Sequence, residues 1–513
     1  MRRTAGFFTL LPSPVSSSPL LLDTQSLLVT AYTATLGLLA LYGLHRVGML
    51  ARFRWSREAP RPDASGTRLP HVTVQLPIYN ERTVAVRLIR AALALDYPAE
   101  SLEIQVLDDS TDDTRELVDA EVARGRAHGL DIQAVRRSDR KGFKAGALDH
   151  GQRLAKGELF CIFDADFLPE SDFLQRMVPY FADERVGMVQ ARWGHVNRGD
   201  SILTRAESAL LDGHFVIEHK VRHDSRVFFN FNGTAGIWRR AAIDSAGGWE
   251  HDTLTEDLDL SYRAQLAGWK FVYLPRIVAP AEVPPDIAAF KSQQHRWAKG
   301  SVQVFKKLGW RILVSDQPLR VKLEAFSHLT GNVGYPCVLM LAFLLPLSLG
   351  LSSVFPHWVH LVLFCACTLS VVVFYETSQR AIGRPLGARL VDTVAAIALG
   401  IGMCVSQTRA VIEGLLPGTG VFVRTPKKGD APGAKRYRVA LLGWPGIELV
   451  LAAWFAYGIW IAVEREFWGS LPFLFLFFSS FAWVGSMSLA EWWHSTRGAS
   501  EPLALPVAAT KRA

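Results

Sequence analysis

The chain has 513 residues, enough for two or three domains, and its 49% hydrophobic content is only slightly above that of a soluble protein. The net charge of +8 does not indicate a nucleic-acid partner, because most clustered Arg and Lys residues flank apolar runs, where membrane topology explains them. The five cysteines have no metal-like spacing, and we interpret them as packing residues.

The N-terminal part of the chain predicts one membrane-spanning helix. Residues 1–25 contain a short apolar piece interrupted by two prolines, which is a weak candidate for a signal peptide. Residues 26–45 contain no Asp, Glu, Lys or Arg and are long enough to cross a bilayer. The basic, Pro-rich linker 46–70 begins with closely spaced arginines, which places this flank in the cytosol and the N-terminus outside.

Residues 71–303 predict an α/β domain inserted after the first membrane helix. Short apolar strands are expected at 72–77, 103–107, 131–135, 159–163 and 186–192. Helical periodicity is expected at 81–95, 114–127, 145–154 and 171–181. This alternation favours a mostly parallel, Rossmann-like sheet covered by helices.

The second half of the chain returns to the membrane. Segment 304–325 begins with a basic amphipathic stretch, which indicates an interfacial helix or a surface helix of the globular domain. Region 326–491 predicts about four spans, an interfacial or re-entrant segment 390–416 and a cytosolic loop 417–438. With the cytosolic tail 492–513, the chain is expected to cross the membrane five times and to contact membrane lipids.

Two carboxylates follow the apolar strand that ends near residue 163. Asp164 and Asp166 are predicted to lie at the carboxyl edge of the sheet, where open α/β sheets bind ligands. Hard oxygen ligands in this position suit Mg²⁺ or Mn²⁺, which would neutralise a diphosphate. The alternative is that both residues cap the next helix or form a turn.

Other polar clusters also fall at predicted strand ends or in loops. Each has a local alternative as a turn, a helix cap or a surface residue. An acidic residue at a strand end can bind a base or a ribose, a lysine can meet phosphate, and an acid can act as a base toward a sugar hydroxyl. The clusters contain Glu81, Asp108, Asp109, Lys144, Asn232, Gly233, Thr234, Glu256 and Asp257.

A final cluster lies on one helical face. Gln293, Arg296 and Trp297 have i, i+3 and i+4 spacing. A planar cation suits phosphate and an indole suits stacking on a sugar ring. A membrane-interface Trp beside an extended Arg is the alternative.

Four motifs carry a resemblance to a known family. They occur in one order, as Asp108-Asp109, Asp164-x-Asp166, Thr255-Glu256-Asp257 and Gln293-x-x-Arg296-Trp297. Together they resemble the processive family 2 glycosyltransferases, which include cellulose, mannan, chitin and hyaluronan synthases. The residues around these motifs are most similar to those of the cellulose-synthase-like mannan and glucan synthases. The resemblance covers roughly residues 70–305 and, more loosely, the membrane part.

The resemblance implies a GT-A-type cytosolic catalytic domain inserted in an α-helical transmembrane bundle. It implies that Glu81, Asp108, Asp109, Lys144, Asp164, Asp166, Gln293 and Arg296 bind a nucleotide-sugar donor, either UDP-glucose or GDP-mannose. Asp164 and Asp166 would also hold Mg²⁺ or Mn²⁺. No nucleic-acid partner is expected.

The resemblance also assigns the acceptor side. Asp257, with Glu256 beside it, would deprotonate the acceptor hydroxyl and give a β-linkage by inversion. Trp297, Asn232, Gly233 and Thr234 would bind the growing polysaccharide. Segment 422–427 resembles the gating loop of cellulose synthases but has Arg424 where that loop has Val.

The leading hypothesis is therefore a membrane-embedded synthase that elongates and exports a β-glucan or β-mannan. One alternative is an enzyme that adds one or a few sugars to a membrane lipid, and another is a transporter or channel that binds nucleotide sugar. The catalytic domain is expected in the cytosol, at a bacterial inner membrane or, in a eukaryote, at the Golgi.

Overall fold

The computed structural model describes residues 19–54, 69–349, 357–418, 427, 429 and 446–497. Within these residues, seven strands form one sheet, with the bounds β1 Val72–Ile78, β2 Leu102–Asp108, β3 Asp131–Val135, β4 Leu159–Ile162, β5 Val186–His195, β6 Gly236–Arg239 and β7 Lys270–Ala281. The spatial order is β3-β2-β1-β4-β6-β5-β7.

The sheet is parallel except at one strand. Strands β1 to β4 pair in parallel, β5 pairs in parallel with β7, and β6 is antiparallel to both β4 and β5. The sheet is therefore mixed rather than uniformly parallel. The carboxyl ends of β1, β2, β4, β5 and β7 still meet at one edge, which is where the polar motifs were predicted to gather.

The described helices have the bounds α1 Pro19–Arg54, α2 Ala85–Leu93, α3 Thr114–Ala127, α4 Phe143–Leu154, α5 Phe173–Met177, α6 Ile202–Asp212, α7 Lys220–Asp224, α8 Arg240–Ser245, α9 Glu256–Leu266, α10 Ile287–Val314, α11 Leu319–Leu329, α12 Gly334–Ser348, α13 His357–Ala381, α14 Leu386–Gly402, α15 Cys404–Leu415, α16 Ile447–Glu464 and α17 Leu471–Arg497. A π-helical segment, Gly213–His219, joins α6 to α7.

All five predicted strands and all four predicted helices of the α/β domain occur; β3 and α3 have the predicted bounds, and the other elements have shifted ends. The helix expected at 171–181 is divided, because α5 is followed by the 3₁₀ segment Val178–Ala182. Strands β6 and β7 were not predicted. Strand β6 has four residues, and β7 contains Pro275 and Pro280, which remove backbone donors and obscure a strand pattern.

Five of the described helical segments are long and apolar enough to cross a membrane. They are Gln25–Arg54, Gly331–Ser348, Val362–Ala381, Ile447–Glu464 and Trp468–His494. Helices α14 and α15 form a pair bent by 51°, which would make a sixth span if the pair crosses as one. This count of five agrees with the expected number, and the bend falls in the segment predicted as interfacial or re-entrant. Most of the linker 46–70, the loop 417–438 and the tail lies outside the described residues.

The segment predicted as an interfacial helix belongs to a longer one. Helix α10 is continuous from Ile287 to Val314 and so runs through the boundary expected at residue 303. Its apolar residues Val304, Leu308 and Ile312 are buried in one cluster with Leu258 and Tyr262 of α9. The apolar stripe therefore packs against the α/β domain, as the alternative of a globular surface helix expected.

Helix α10 is attached to the apolar helices at its N-terminal end. The Asp286 side chain caps the helix by accepting a hydrogen bond from the Ala289 amide at 2.8 Å. The Glu491 carboxylate of α17 accepts the Ile287 and Ala288 amides at 2.8 and 3.0 Å. Helix α10 thus joins the α/β domain to α17.

A buried ion pair strengthens this junction. Lys291 Nζ lies 2.6 Å from Glu448 Oε1 of α16 and 2.9 Å from Ser488 Oγ of α17. Lys291 and Glu448 are 4% and 3% exposed, so neither charge has water as an alternative partner. The N-terminal turns of α10 are therefore held by groups on two helices of the bundle.

Candidate active site

An open cavity lies at the carboxyl edge of the sheet. Twelve of the fourteen site residues predicted from the sequence line it: Glu81, Asp109, Lys144, Asp164, Asp166, Asn232, Gly233, Glu256, Asp257, Gln293, Arg296 and Trp297. The four motifs thus converge on one cavity, although they are far apart in the chain.

The two remaining predicted residues lie behind the cavity wall. Asp108 is 2% exposed, accepts the Ser110 amide at 3.0 Å and binds Arg136 at 2.8 Å. Thr234 is fully buried, and its hydroxyl accepts the Asp164 amide at 2.9 Å. Of the acidic pair at the end of β2, Asp109 is therefore the one that faces the cavity, and Thr234 supports the Asp164 backbone.

One end of the cavity is aromatic and cationic. The guanidinium carbon of Arg140 lies 3.3 Å from the centroid of the Tyr79 ring, and both residues line the cavity. Asp109 beside them is held by Arg137 through two nitrogen–oxygen contacts, one of them Nε–Oδ1 at 2.9 Å. The end of β1 therefore presents a flat, positively charged surface next to a neutralised carboxylate.

Two lysines face the acidic pair at the end of β4. Lys144 Nζ lies 2.5 Å from Asp164 Oδ1 and donates to the Gly233 carbonyl at 2.9 Å. Lys427 Nζ lies 2.8 Å from Asp166 Oδ2. Burial alone would lower the pKa of Lys144, but the Asp164 and Glu256 carboxylates offset this and raise its pKa. The centre of the cavity thus holds two carboxylates, each paired with a lysine ammonium group.

The first turn of α9 carries a carboxyl group suited to accept a proton. Burial, with the adjacent Glu256 charge, raises the pKa of Asp257 to about 7. Burial also raises the pKa of Glu256. One Asp257 oxygen accepts the Leu258 amide at 2.8 Å, and the other lies near Gly233, where a Cβ atom would come within 3.0 Å of it. A general base works best when its pKa is near the working pH.

Helix α10 contributes a further cation, Arg296, to the site. Burial lowers the pKa of Arg296, and the charges of Glu256, Asp164 and Asp257 act in the opposite direction. Arg296 therefore lies among the acidic groups of the cavity, on the same helical face as Gln293 and Trp297. A planar guanidinium in this position can bind a diphosphate as the diphosphate gains negative charge.

The opposite end of the cavity is aromatic. The rings of Trp297 and Trp193 lie 6.4 Å apart between centroids, and both line the cavity. His195, from the end of β5, lies beside them with its Nε2 atom 3.4 Å from Asp212 Oδ1. Burial alone would raise the pKa of Asp212, but the His195 hydrogen bond and the Arg198 charge lower it to about 2. Indole faces beside fixed polar groups suit a sugar.

The residues at the end of β4 fit a divalent metal. Asp164 and Asp166 supply two hard oxygen ligands that face the cavity, and Mg²⁺ sites on phosphate substrates commonly use one or two carboxylates. Both carboxylates are balanced by lysine ammonium groups in this structure. Each of the two carboxylates therefore lies beside a positive charge, as it would in a metal site.

A second acidic cluster is closer-packed but already neutralised. Glu250, Asp252 and Asp259 bring three carboxylates together outside the cavity. The Lys307 ammonium lies 2.5, 2.7 and 3.0 Å from these three groups in turn. Because one lysine contacts all three, this cluster is a structural ion-pair network rather than a metal site.

Several lining residues were not predicted as site residues. They are Tyr79, Arg140, Trp193, His195 and Lys427. Tyr79 lies within a cluster that the sequence singled out, and Lys427 lies at the end of the loop that resembles a gating loop. Trp193 and His195 lie at the end of β5, and alternation of this strand toward one face was the available signal.

Comparison with known proteins defines the class of this chain. Residues 70–300 match the family described as Glycosyltransferase like family 2. The structure is similar to mannosyltransferase PcManGT from Pyrobaculum calidifontis, solved in complex with GDP-Man and Mn2+, with a TM-score of 0.54, 21% identity and coverage of 76% of this chain and 99% of that one. The chain is thus a hexosyltransferase with a GT-A-like fold.

Relatives from plants narrow the family. The chain is 35% identical over 397 residues to glucomannan 4-beta-mannosyltransferase 9 of Arabidopsis thaliana, which covers 74% of this chain and 72% of the relative. It is 38% identical over 375 residues to probable glucomannan 4-beta-mannosyltransferase 11 of Oryza sativa subsp. japonica, covering 71% of this chain and 64% of the relative. Other relatives of this name align over 45 to 54% of their length. The chain belongs to the cellulose-synthase-like branch of the family 2 glycosyltransferases.

Proposed function

We propose that the chain is a membrane-embedded mannan-type synthase that adds mannose units from GDP-mannose to a growing β-linked polysaccharide. The convergence of Asp164, Asp166, Asp257 and Trp297 in one cavity carries this proposal. The names of the plant relatives support mannose as the sugar, and the GDP-Man complex of the structural relative supports a guanosine diphosphate donor.

The donor would lie along the carboxyl edge of the sheet. Asp164 and Asp166 would hold Mg²⁺ or Mn²⁺, and this ion would neutralise the diphosphate as a leaving group. Lys144 and Arg296 would contribute further positive charge next to the phosphates, since both lie among the acidic groups of the cavity. Gln293 lies on the same face of α10 and would bind the pyrophosphate beside Arg296.

Asp257 would activate the acceptor. Its carboxylate would remove the proton of a sugar hydroxyl as that oxygen attacks the anomeric carbon of the donor from the face opposite the diphosphate. The bond from the anomeric carbon to the phosphate oxygen breaks, and the nucleoside diphosphate leaves with the electron pair. A single displacement inverts the anomeric centre, so an α-linked donor gives a β-linked product. Glu256 would raise the proton affinity of Asp257 through its adjacent charge.

The acceptor would lie at the aromatic end. Trp297 would stack on the terminal sugar, and Asn232 and Gly233 would bind its hydroxyls from the loop that faces Asp257. Because α10 carries Trp297 and is attached to α16 and α17, this end of the cavity adjoins the apolar helices. We infer that the helices span a membrane, that the catalytic domain lies on its cytosolic side, and that the polymer leaves between them.

Export would follow from this arrangement. A polysaccharide cannot enter lipid without losing the hydrogen bonds of its hydroxyl groups, so a path enclosed by protein is required. Each addition at the cytosolic end would then move the chain outward by one sugar. This coupling needs processive transfer, in which the product of one addition becomes the acceptor of the next.

Turnover by the purified chain tests the proposal. The chain in nanodiscs receives GDP-mannose or UDP-glucose with Mn²⁺, and the product is sized and subjected to linkage analysis. We expect a long polymer of β-1,4-linked mannose from GDP-mannose. A product limited to lipid-soluble material with one or a few sugars would contradict the synthase, and a polymer from UDP-glucose alone would contradict the donor.

A further inference from the structure

The order of strands sets the order of groups along the cavity. Strands β1 and β2 end beside Tyr79 and Asp109, β4 ends at Asp164 in the centre, and β5 ends near Trp193. A donor with its diphosphate at Asp164 and its sugar toward Trp193 has one remaining direction for its nucleobase. The base of such a donor would lie at the ends of β1 and β2.

Arg140 is the cation at this end. Its guanidinium carbon lies 3.3 Å from the Tyr79 ring centroid and 5.1 Å from the centroid of Phe143. The shorter distance is that of a planar group lying flat on the tyrosine ring. The stack fixes the plane of the guanidinium and so the plane in which its N–H groups point toward a ligand.

The neighbouring arginines of this segment are held elsewhere. Arg136 binds Asp108 at 2.8 Å and Asp119 at 2.9 Å. Arg137 donates to Asp109 through Nε and Nη2, and its Nη1 donates to the Lys141 carbonyl at 2.8 Å. Neither Arg136 nor Arg137 lines the cavity. Among residues 136, 137 and 140, Arg140 is the arginine that lines the cavity.

Bases differ in what they offer to a guanidinium. Guanine presents two adjacent acceptors, O6 and N7, that match the paired N–H groups of arginine. The two carbonyl oxygens of uracil are separated by an N–H donor, so uracil offers one acceptor at a time. An ammonium group cannot form the paired contact, because it acts as a point charge.

We propose that Arg140, held flat against Tyr79, reads the O6 and N7 edge of guanine and makes the chain selective for guanosine over uridine diphosphate donors. This inference rests on the proposed function for the identity of the donor cavity. Arg140 is then a specificity residue that contacts the base, while Tyr79 is a positioning residue that sets the plane of the guanidinium.

Nucleotide binding without turnover tests this assignment. Titration calorimetry on the full chain in detergent, with Mn²⁺, compares GDP and UDP for the unchanged chain and for Arg140→Lys. We expect Arg140→Lys to weaken GDP binding by about 5- to 150-fold while UDP binding changes by less than about threefold. Arg153→Lys is the matched control, because Arg153 is an exposed residue of α4 with a side chain 74% accessible, and it should change neither affinity.

Each outcome bears on the assignment. Equal losses for GDP and UDP would contradict it, since they would mean a role in charge or folding rather than in base recognition. An unchanged chain that binds both nucleotides equally would also contradict it. Because UDP binding reports on the fold of the variant, a misfolded protein is recognised directly.

The same experiment is separable from the proposed function. A chain that prefers GDP and loses this preference in Arg140→Lys, yet makes no polymer, would support the base assignment and contradict the synthase. If the chain makes mannan and its Arg140→Lys variant keeps the same preference for GDP, the synthase is supported and the base assignment is contradicted. Arg140→Lys should raise the KM for GDP-mannose and leave kcat, measured at saturating GDP-mannose, nearly unchanged.

Discussion

The Lys427 ammonium lies 2.8 Å from the Asp166 carboxylate, although the two residues are far apart in the chain. Lys427 also donates to the Glu282 carbonyl at 3.2 Å, and the Gly429 amide donates to the Glu282 carboxylate at 3.2 Å. Lys427 and Gly429 of the loop 417–438 therefore contact the wall of the cavity. A metal ion that binds Asp166 Oδ2 would take the place of this ammonium group.

Removing the Lys427 charge should strengthen metal binding in the absence of nucleotide. Lys427 and Asp166 have side chains 10% and 9% exposed, so their attraction is weakly screened. We expect Lys427→Met to tighten Mn²⁺ binding by about fivefold, equivalent to ~1 kcal/mol, as measured from free Mn²⁺ by electron paramagnetic resonance. Lys156→Met removes an exposed lysine that pairs with Asp131 and should have no effect. Weaker Mn²⁺ binding by Lys427→Met would show that the lysine does not compete with the metal.

Replacing the proposed base should separate chemistry from binding. Asp257→Asn keeps the size of the side chain but cannot accept a proton, so we expect kcat to fall by roughly 10²–10⁴-fold. GDP affinity should change little. Asp252→Asn, an exposed residue outside the cavity, is the control for the same chemical change. Retention of substantial turnover in Asp257→Asn would assign the base to another residue.

Turnover should follow the ionisation of Asp257. The raised pKa of about 7 means that the active, deprotonated form disappears as the pH falls below 7. We expect kcat at saturating donor to rise with pH and to level off above about pH 8. If the rate stays constant between pH 5.5 and pH 8.5 while the donor affinity does not depend on pH, the pKa of the catalytic base lies outside this range.

The same shift predicts a stability effect of opposite direction. A carboxyl group with a folded-state pKa above its unfolded value of 3.8 favours folding when protonated, and this contribution is lost as the pH rises through 7. Asp257→Asn should therefore raise the melting temperature at pH 8 and have a much smaller effect at pH 5. Calorimetry or a fluorescence melt on both proteins measures this. A destabilised variant at pH 8 would contradict the pKa assignment.

A close contact between α9 and α10 should be sensitive to one methyl group. A Cβ atom at Gly300 would lie 2.5 Å from both Cγ2 and Oγ1 of Thr255, so Gly300→Ala must move α10 away from Glu256 and Asp257. We expect kcat to fall by about 10²-fold, because small displacements misalign reacting groups. Adding Thr255→Ala should restore part of the rate. Gly334→Ala, where nothing lies within 4 Å, should be neutral.

The sequence predicted which residues gather in the cavity better than it predicted the pairing of the strands around them. Asp164 follows β4, Asp257 lies in the first turn of α9, and Trp297 shares a helical face of α10 with Gln293 and Arg296. Because the ends of parallel strands meet at one edge, these local patterns indicated which residues gather there. The pairing of Lys427 with Asp166 could not be predicted, because spacing in the chain carries no information on which distant segment fills a cavity. The antiparallel direction of β6 depends on its neighbours β4 and β5 for the same reason.

The helical periodicity predicted for the C-terminal half of α10 was correct, but it left open whether its apolar face contacts lipid or protein. Val304, Leu308 and Ile312 have helical spacing with lysines beside them, which suits both a lipid surface and a protein surface. The apolar partners Leu258 and Tyr262 that decide between the two belong to α9. Periodicity identifies the buried face of a helix but does not identify what covers it.

The continuity of α10 has a mechanical consequence. With 28 residues it is a rod about 42 Å long, fixed at one end to Glu448 and Glu491 and carrying Arg296 and Trp297 a few turns along. A tilt of α16 or α17 would therefore reach Arg296 and Trp297 through α10. With these helices in a membrane, as we propose, the thickness and lateral tension of the lipid would influence the rate of transfer at a distance from the reacting atoms.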